Sequence, residues 1–163
     1  MLQQADDAEW ERVRTEPRPI HSHPHARGIG TRRLQLVVMP SFEEPSIWEL
    51  WVRPSREWQL VRPRVVQSEP PVLLVGNDAL PFSSSAVAAY FERVVSLHLP
   101  LRPDLSGCGG ADGTYYELTV CGDLSSGWQF HWWSHWPEQW KPLVELADEM
   151  HAAFLTASGS EGR

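Results

Sequence analysis

One stretch near the C-terminus constrains the fold of this chain more than any other: two alternating strands followed by a capped helix. In TYYELTVCG (114–122), Tyr116, Leu118 and Val120 share one side, because successive side chains of a strand point to opposite faces. In GWQFHWWS (127–134), Trp128, Phe130 and Trp132 do the same. Keeping both apolar sets on one face requires an even index sum, since a one-residue slip turns a whole set to solvent. The short connection then pairs 118 with 130. That register sets Glu117 opposite His131 and Tyr115 opposite Trp133, on the outward face beside Thr119 and Gln129. PEQW makes a turn, and Pro142 suits the first position of a helix through 155. Leu143, Val144, Ala147, Met150 and Phe154 form its apolar stripe.

Upstream, an apolar run over 34–39 ends at Pro40 and reads as a strand. IWELWVR (47–53) alternates Trp48, Leu50 and Val52 against Ile47, Glu49, Trp51 and Arg53. WQLVRPRVV (58–66) follows after a short polar turn, so the two predict a hairpin. Pro63 places the second strand at an edge or a bulge. PVLLVGN adds a short strand. SSSAVAAYFERVVSLHL (83–99) is a helix with serine caps and an apolar face of Val87, Tyr90, Phe91, Val94 and Val95. Strands interrupted by two helices predict an α+β fold: an antiparallel sheet with both helices on one face, a two-layer sandwich. The whole of 1–163 reads as one domain. Within it, 1–30 is an irregular N-terminal segment, with a short helix around Trp10 and Val13, and 156–163 is a flexible tail.

Charge narrows the partners. Residues 1–66 carry ten arginines and nine acids, whereas 67–163 carry four basic groups and twelve acids. An acidic half without clustered Lys and Arg argues against nucleic acid, whose backbone is bound chiefly by such clusters. It suits a basic protein partner or simple solubility. The N-terminus lacks the apolar core of a signal peptide and no run of 18 apolar residues exists, which predicts a cytoplasmic protein off the membrane. Cys108 and Cys121 are too few for a structural zinc site.

Four constellations invite a chemical reading. His21, His23 and His25 alternate along a Pro-rich segment and would offer zinc or nickel three imidazoles; the bland alternative is a loop with incidental affinity. Glu117 and His131, with His135 nearby, resemble a carboxylate-supported general base, but cross-strand Glu/His pairs also stabilise plain sheet faces. The glycine-rich loop 107–113 precedes a strand rather than a helix and lacks a P-loop lysine, so it reads as a turn. Nine tryptophans are several times the usual share. Most belong to the core, Trp128, Trp132 and Trp140 among them, while Trp51 and Trp133 fall out of phase and suit a partner protein or a sugar ring.

Residues 112–146 carry DGTYYEL, an aromatic strand ending in HWW, and PEQWKPLVEL. This pattern resembles small bacterial α+β domains, some of them immunity-type proteins of toxin systems; thirteen arginines among fourteen basic residues also fit a GC-rich bacterial genome. The resemblance implies a fold unit and transfers no functional residue. The expectation is therefore a non-enzymatic, cofactor-free protein-binding module, immunity- or antitoxin-like, or a defence accessory. It would act through Trp51, Glu49, Tyr115, Glu117, His131 and Trp133. The alternatives are a metal-dependent hydrolase using the His and Glu groups, and a carbohydrate-binding module.

Overall fold

The computed structural model describes residues 18–19, 25–26, 30–66, 72–74, 80–100, 102–106, 108, 112–122 and 127–159. The strands are β1 (Arg18–Pro19), β2 (His25–Ala26), β3 (Gly30–Pro40), β4 (Ser46–Val52), β5 (Trp58–Val61), β6 (Arg64–Val66), β7 (Val72–Leu74), β8 (Thr114–Cys121) and β9 (Gly127–Trp132). The helices are α1 (Ser84–Val95) and α2 (Lys141–Gly159), the latter entered through a 3₁₀ turn at Glu138–Trp140. All pairings are antiparallel. The main sheet runs β5-β4-β3-β8-β9, with β2 paired to β3, and a small second sheet runs β1-β7-β6. The fold is α+β.

The predicted hairpin of 47–53 and 58–66 forms, but Pro63 splits its second arm. β5 stays with β4, while β6 joins the small sheet. A proline cannot donate to the ladder, so the strand changes partners there. Two other boundaries move. α1 stops at Val95, where Ser96 caps it, and Leu97 and Leu99 leave the helical path to pack on the core. α2 continues past the predicted end at 155 to Gly159, so 156–159 are helical. The β1 and β2 pairings fall inside the segment read as irregular. The proposed helix around Trp10 and Val13 lies outside the described residues.

The predicted register of the last hairpin is found: Leu118 faces Phe130 and Glu117 faces His131. Tyr116 stacks on Trp132 with centroids 5.3 Å apart and rings 3° from parallel. One core contains Leu34, Leu36, Val38, Trp48, Leu50, Leu60, Leu118 and Val120 from the sheet. Val87, Phe91 and Val94 of α1 and Leu143, Val144, Ala147, Met150 and Phe154 of α2 complete it. Residues of both helices thus share one buried cluster with alternate strand positions.

Trp128 does not join them. It is 63% exposed despite being in phase, because β9 is the outermost strand and its first residues reach beyond the core cluster. The two-layer expectation is met only in its coarser form, since the other face is not open at its centre: Val37, Ile47, Glu49 and Trp51 are buried there too.

Tyr116 ties α2 to the sheet through Asp148. Burial first, then the charge and hydrogen bond of Asp148, push its phenol up to about 12. The folded state therefore holds this proton above the ordinary tyrosine range, and stability is expected to fall as pH rises from about 10 to 12. Tyr116→Phe should flatten that alkaline slope in urea titrations and cost about 1 kcal/mol at neutral pH. An unchanged slope in the variant would show that another group carries it.

Candidate functional site

The bulge in β3 organises the face opposite the helices. The pairing with β4 slips between Arg32 and Leu34, so Arg33 is the extra residue. Before the slip Arg32 pairs with Trp51; after it Gln35 pairs with Glu49. Arg32 thereby joins the face of Gln35, Glu49 and Trp51, although its even number groups it with Leu34 and Leu36. Arg33 turns the other way and lies over the Phe91 ring at 5.3 Å. Extra residues of this kind reorient a strand locally.

The result is a buried polar knot. Glu49 Oε1 accepts from Arg32 Nη1 and Gln35 Nε2, each at 3.0 Å, and Oε2 accepts from Trp51 Nε1 at 3.0 Å. Arg32, Gln35, Glu49 and Trp51 are all at most 1% exposed. Glu49 and Trp51, expected to contact a partner, are therefore interior. Trp51 is out of phase with the main core because it roofs this second buried layer and satisfies its own indole N–H there.

Towards β8 and β9 the same face opens. Met39 pairs with Tyr115, and Glu117 with His131, placing them in adjacent rows. Tyr115 stacks with His131 at 6.5 Å and meets Trp133 at 5.9 Å. Glu117 is buried, accepts from Thr119 Oγ1 at 3.5 Å and hydrogen-bonds Tyr115. Burial, followed by the Glu117 charge and hydrogen bond, raises the Tyr115 phenol above its usual range. His131 is exposed and Tyr115 and Trp133 are half-buried.

Two serines knit the turns at this end. Ser41 donates its N–H (3.0 Å) and hydroxyl (2.6 Å) to the Gly113 carbonyl and accepts from Gly113 N–H at 3.1 Å. Ser134 Oγ accepts from Thr114 N–H at 2.6 Å. Gly113 sits at φ 149°, and a Cβ there would run into Ser134 Oγ and approach Trp133 Nε1. Both the positive φ and this crowding favour glycine at the turn. The β3–β4 turn anchored by Ser41 presents Phe42, 88% exposed, close to Met39, 38% exposed. Glu43, Glu44 and Asp112 are exposed around them. Met39 and Phe42 escaped the sequence reading because Pro40 and the turn residues carry no period that marks a surface.

A cleft of about 510 Å³ lies on the far side of Ser134, lined by Asp104, Cys108, Ser134, His135, Trp136 and Glu138, among others. The Asp104 carboxyl is held below its ordinary range by hydrogen bonds from Ser106. His135 lines this cleft, not the Glu117–His131 row. Among the described residues no three His, Cys, Asp or Glu side chains come together as metal ligands. His21 and His23 lie outside the described residues, and of the trio only the backbone of His25 is placed, in β2. Among the described residues no helix is long and apolar enough to cross a membrane. Comparison with known protein families, curated proteins and solved structures finds no match.

Proposed function

We propose that this chain is a non-enzymatic protein-binding module, cytoplasmic and of the neutralising or defence-accessory kind, that takes a basic partner on the open end of its sheet. The binding surface consists of Met39, Phe42, Tyr115, His131 and Trp133, rimmed by Glu43, Glu44 and Asp112. One observation carries this reading: a phenylalanine 88% exposed, on a turn anchored by three hydrogen bonds, three residues beyond Met39, which pairs with Tyr115. A held aromatic needs little ordering to bind, and aromatic anchors within a polar rim dominate interface energies. The net charge of −7 favours a basic partner through steering and rim contacts.

The test compares partners captured from cells by the native chain and by Phe42→Ala and Tyr115→Ala variants. Each change is expected to weaken binding by about 2 kcal/mol, roughly thirtyfold, and Phe42→Ala should leave stability within about 0.5 kcal/mol. Glu43→Lys with Glu44→Lys should slow association and reduce its salt dependence. A captured set that is indifferent to both aromatic changes would sink the proposal.

A further inference from the structure

We infer that β9 is a self-pairing edge through which two copies of this chain join their sheets into one. Among the described residues β9 ends the main sheet, paired to β8 on one side only. An unpaired edge presents a row of N–H and C=O groups, and proteins ordinarily blunt such edges with charged residues, proline or bulges. β9 has none of these. Gly127–Trp132 contains no charged residue and no proline, and its pairing with β8 runs without a slip. The opposite edge, β5, is by contrast followed at once by Arg62 and Pro63.

The order of residues selects the occupant. Trp128-Gln129-Phe130-His131-Trp132 reads aromatic, polar, aromatic, polar, aromatic in either direction. In an antiparallel pair with a twofold axis at Phe130, Trp128 of one copy faces Trp132 of the other, and Gln129 faces His131. Every row then joins like with like, and Gln129 finds an imidazole to hydrogen-bond. The index sum of 260 is even, so the helix-covered faces of both copies stay on one side of the joined sheet. A twofold contact of this kind closes on itself.

Charge and area agree with a second copy as a weak partner. Each copy carries −7, so two repel over most of their surfaces, and a strip without charged side chains lets them approach. Covering Trp128, 63% exposed, with its neighbours on the edge removes about 400–500 Å² per copy, below the roughly 800 Å² per partner of a standard interface. A contact of that size belongs with weak, transient complexes.

Sedimentation equilibrium of the full chain from micromolar to near-millimolar concentration tests this. A monomer–dimer equilibrium is expected, tightening as salt screens the repulsion. Trp128→Lys and Gln129→Asp should each weaken it at least about tenfold. Both positions are exposed, so thermal unfolding should be unchanged, which separates a lost interface from a lost fold. A monomer at every concentration, a dimer indifferent to both changes, or open-ended assemblies would each overturn the inference. Trp128 pairs with Val120, on the other face from Tyr115's row, and salt should weaken capture of a basic partner while tightening self-association, so Trp128→Lys and the direction of the salt effect tell this result from that of the binding test.

Discussion

Glu49→Ala is expected to destabilise the protein by about 3–5 kcal/mol, the usual cost of removing one partner from a buried ion pair. The carboxylate accepts from Arg32, Gln35 and Trp51, all interior, so its loss leaves the Arg32 guanidinium buried without this counter-charge. A melting temperature lower by about 10 °C follows in scale for a chain of this size. The cost should be coupled: Arg32→Met should hurt far less in the Glu49→Ala background than alone. Denaturant titration of the two single variants and the double variant measures this. Additive losses would mean that the pair acts as two separate groups. Binding through Phe42 and Tyr115 should persist wherever the variant remains folded, because Glu49 is buried and the hydrogen bonds described for it go to Arg32, Gln35 and Trp51.

The other large effect is expected at Phe154→Ala, also about 3–5 kcal/mol. Phe154 is fully buried on α2 and lies 5.7 Å from Trp48, 5.6 Å from Phe82 and 5.5 Å from Tyr90 by ring centroids. Its ring joins the sheet, the lead into α1, and both helices. Removing it opens a cavity between stiff aromatic neighbours that close in poorly. Leu155, its exposed neighbour, is the control: Leu155→Ala should stay within about 0.5 kcal/mol. Equal costs at the two positions would show that α2 is not docked through Phe154.

The legible parts of the fold share one property: they rest on period and local chemistry. The 114–132 hairpin has an unbroken alternation on both arms, and so its register was determined down to Glu117 opposite His131. α1 was legible from its serine cap and apolar face. At the site, Tyr115, His131 and Trp133 were placed by that same alternation. Glu49 and Trp51 were assigned to an outward face by the same rule and are interior, because parity gives the side of a sheet and not what lies above it. Trp128 fails the opposite way: it is on the core side, but at a strand outside the core's reach.

The sequence by itself determined the α+β class, the antiparallel pairings of the two long hairpins, and the phase of each strand, since these follow from a side-chain period of two and from turn and cap chemistry that act over a few residues. Only the tertiary structure decided which face is open. The single extra residue at Arg33 carries Arg32 across the sheet to meet Glu49, seventeen positions away, and so converts half of an apparent binding face into a sealed polar layer. The hydrogen bonds from Ser41 to Gly113 span 72 positions and leave Phe42 held in solvent. Both depend on strand order and on the meeting of distant backbone groups, which no local pattern of residues encodes.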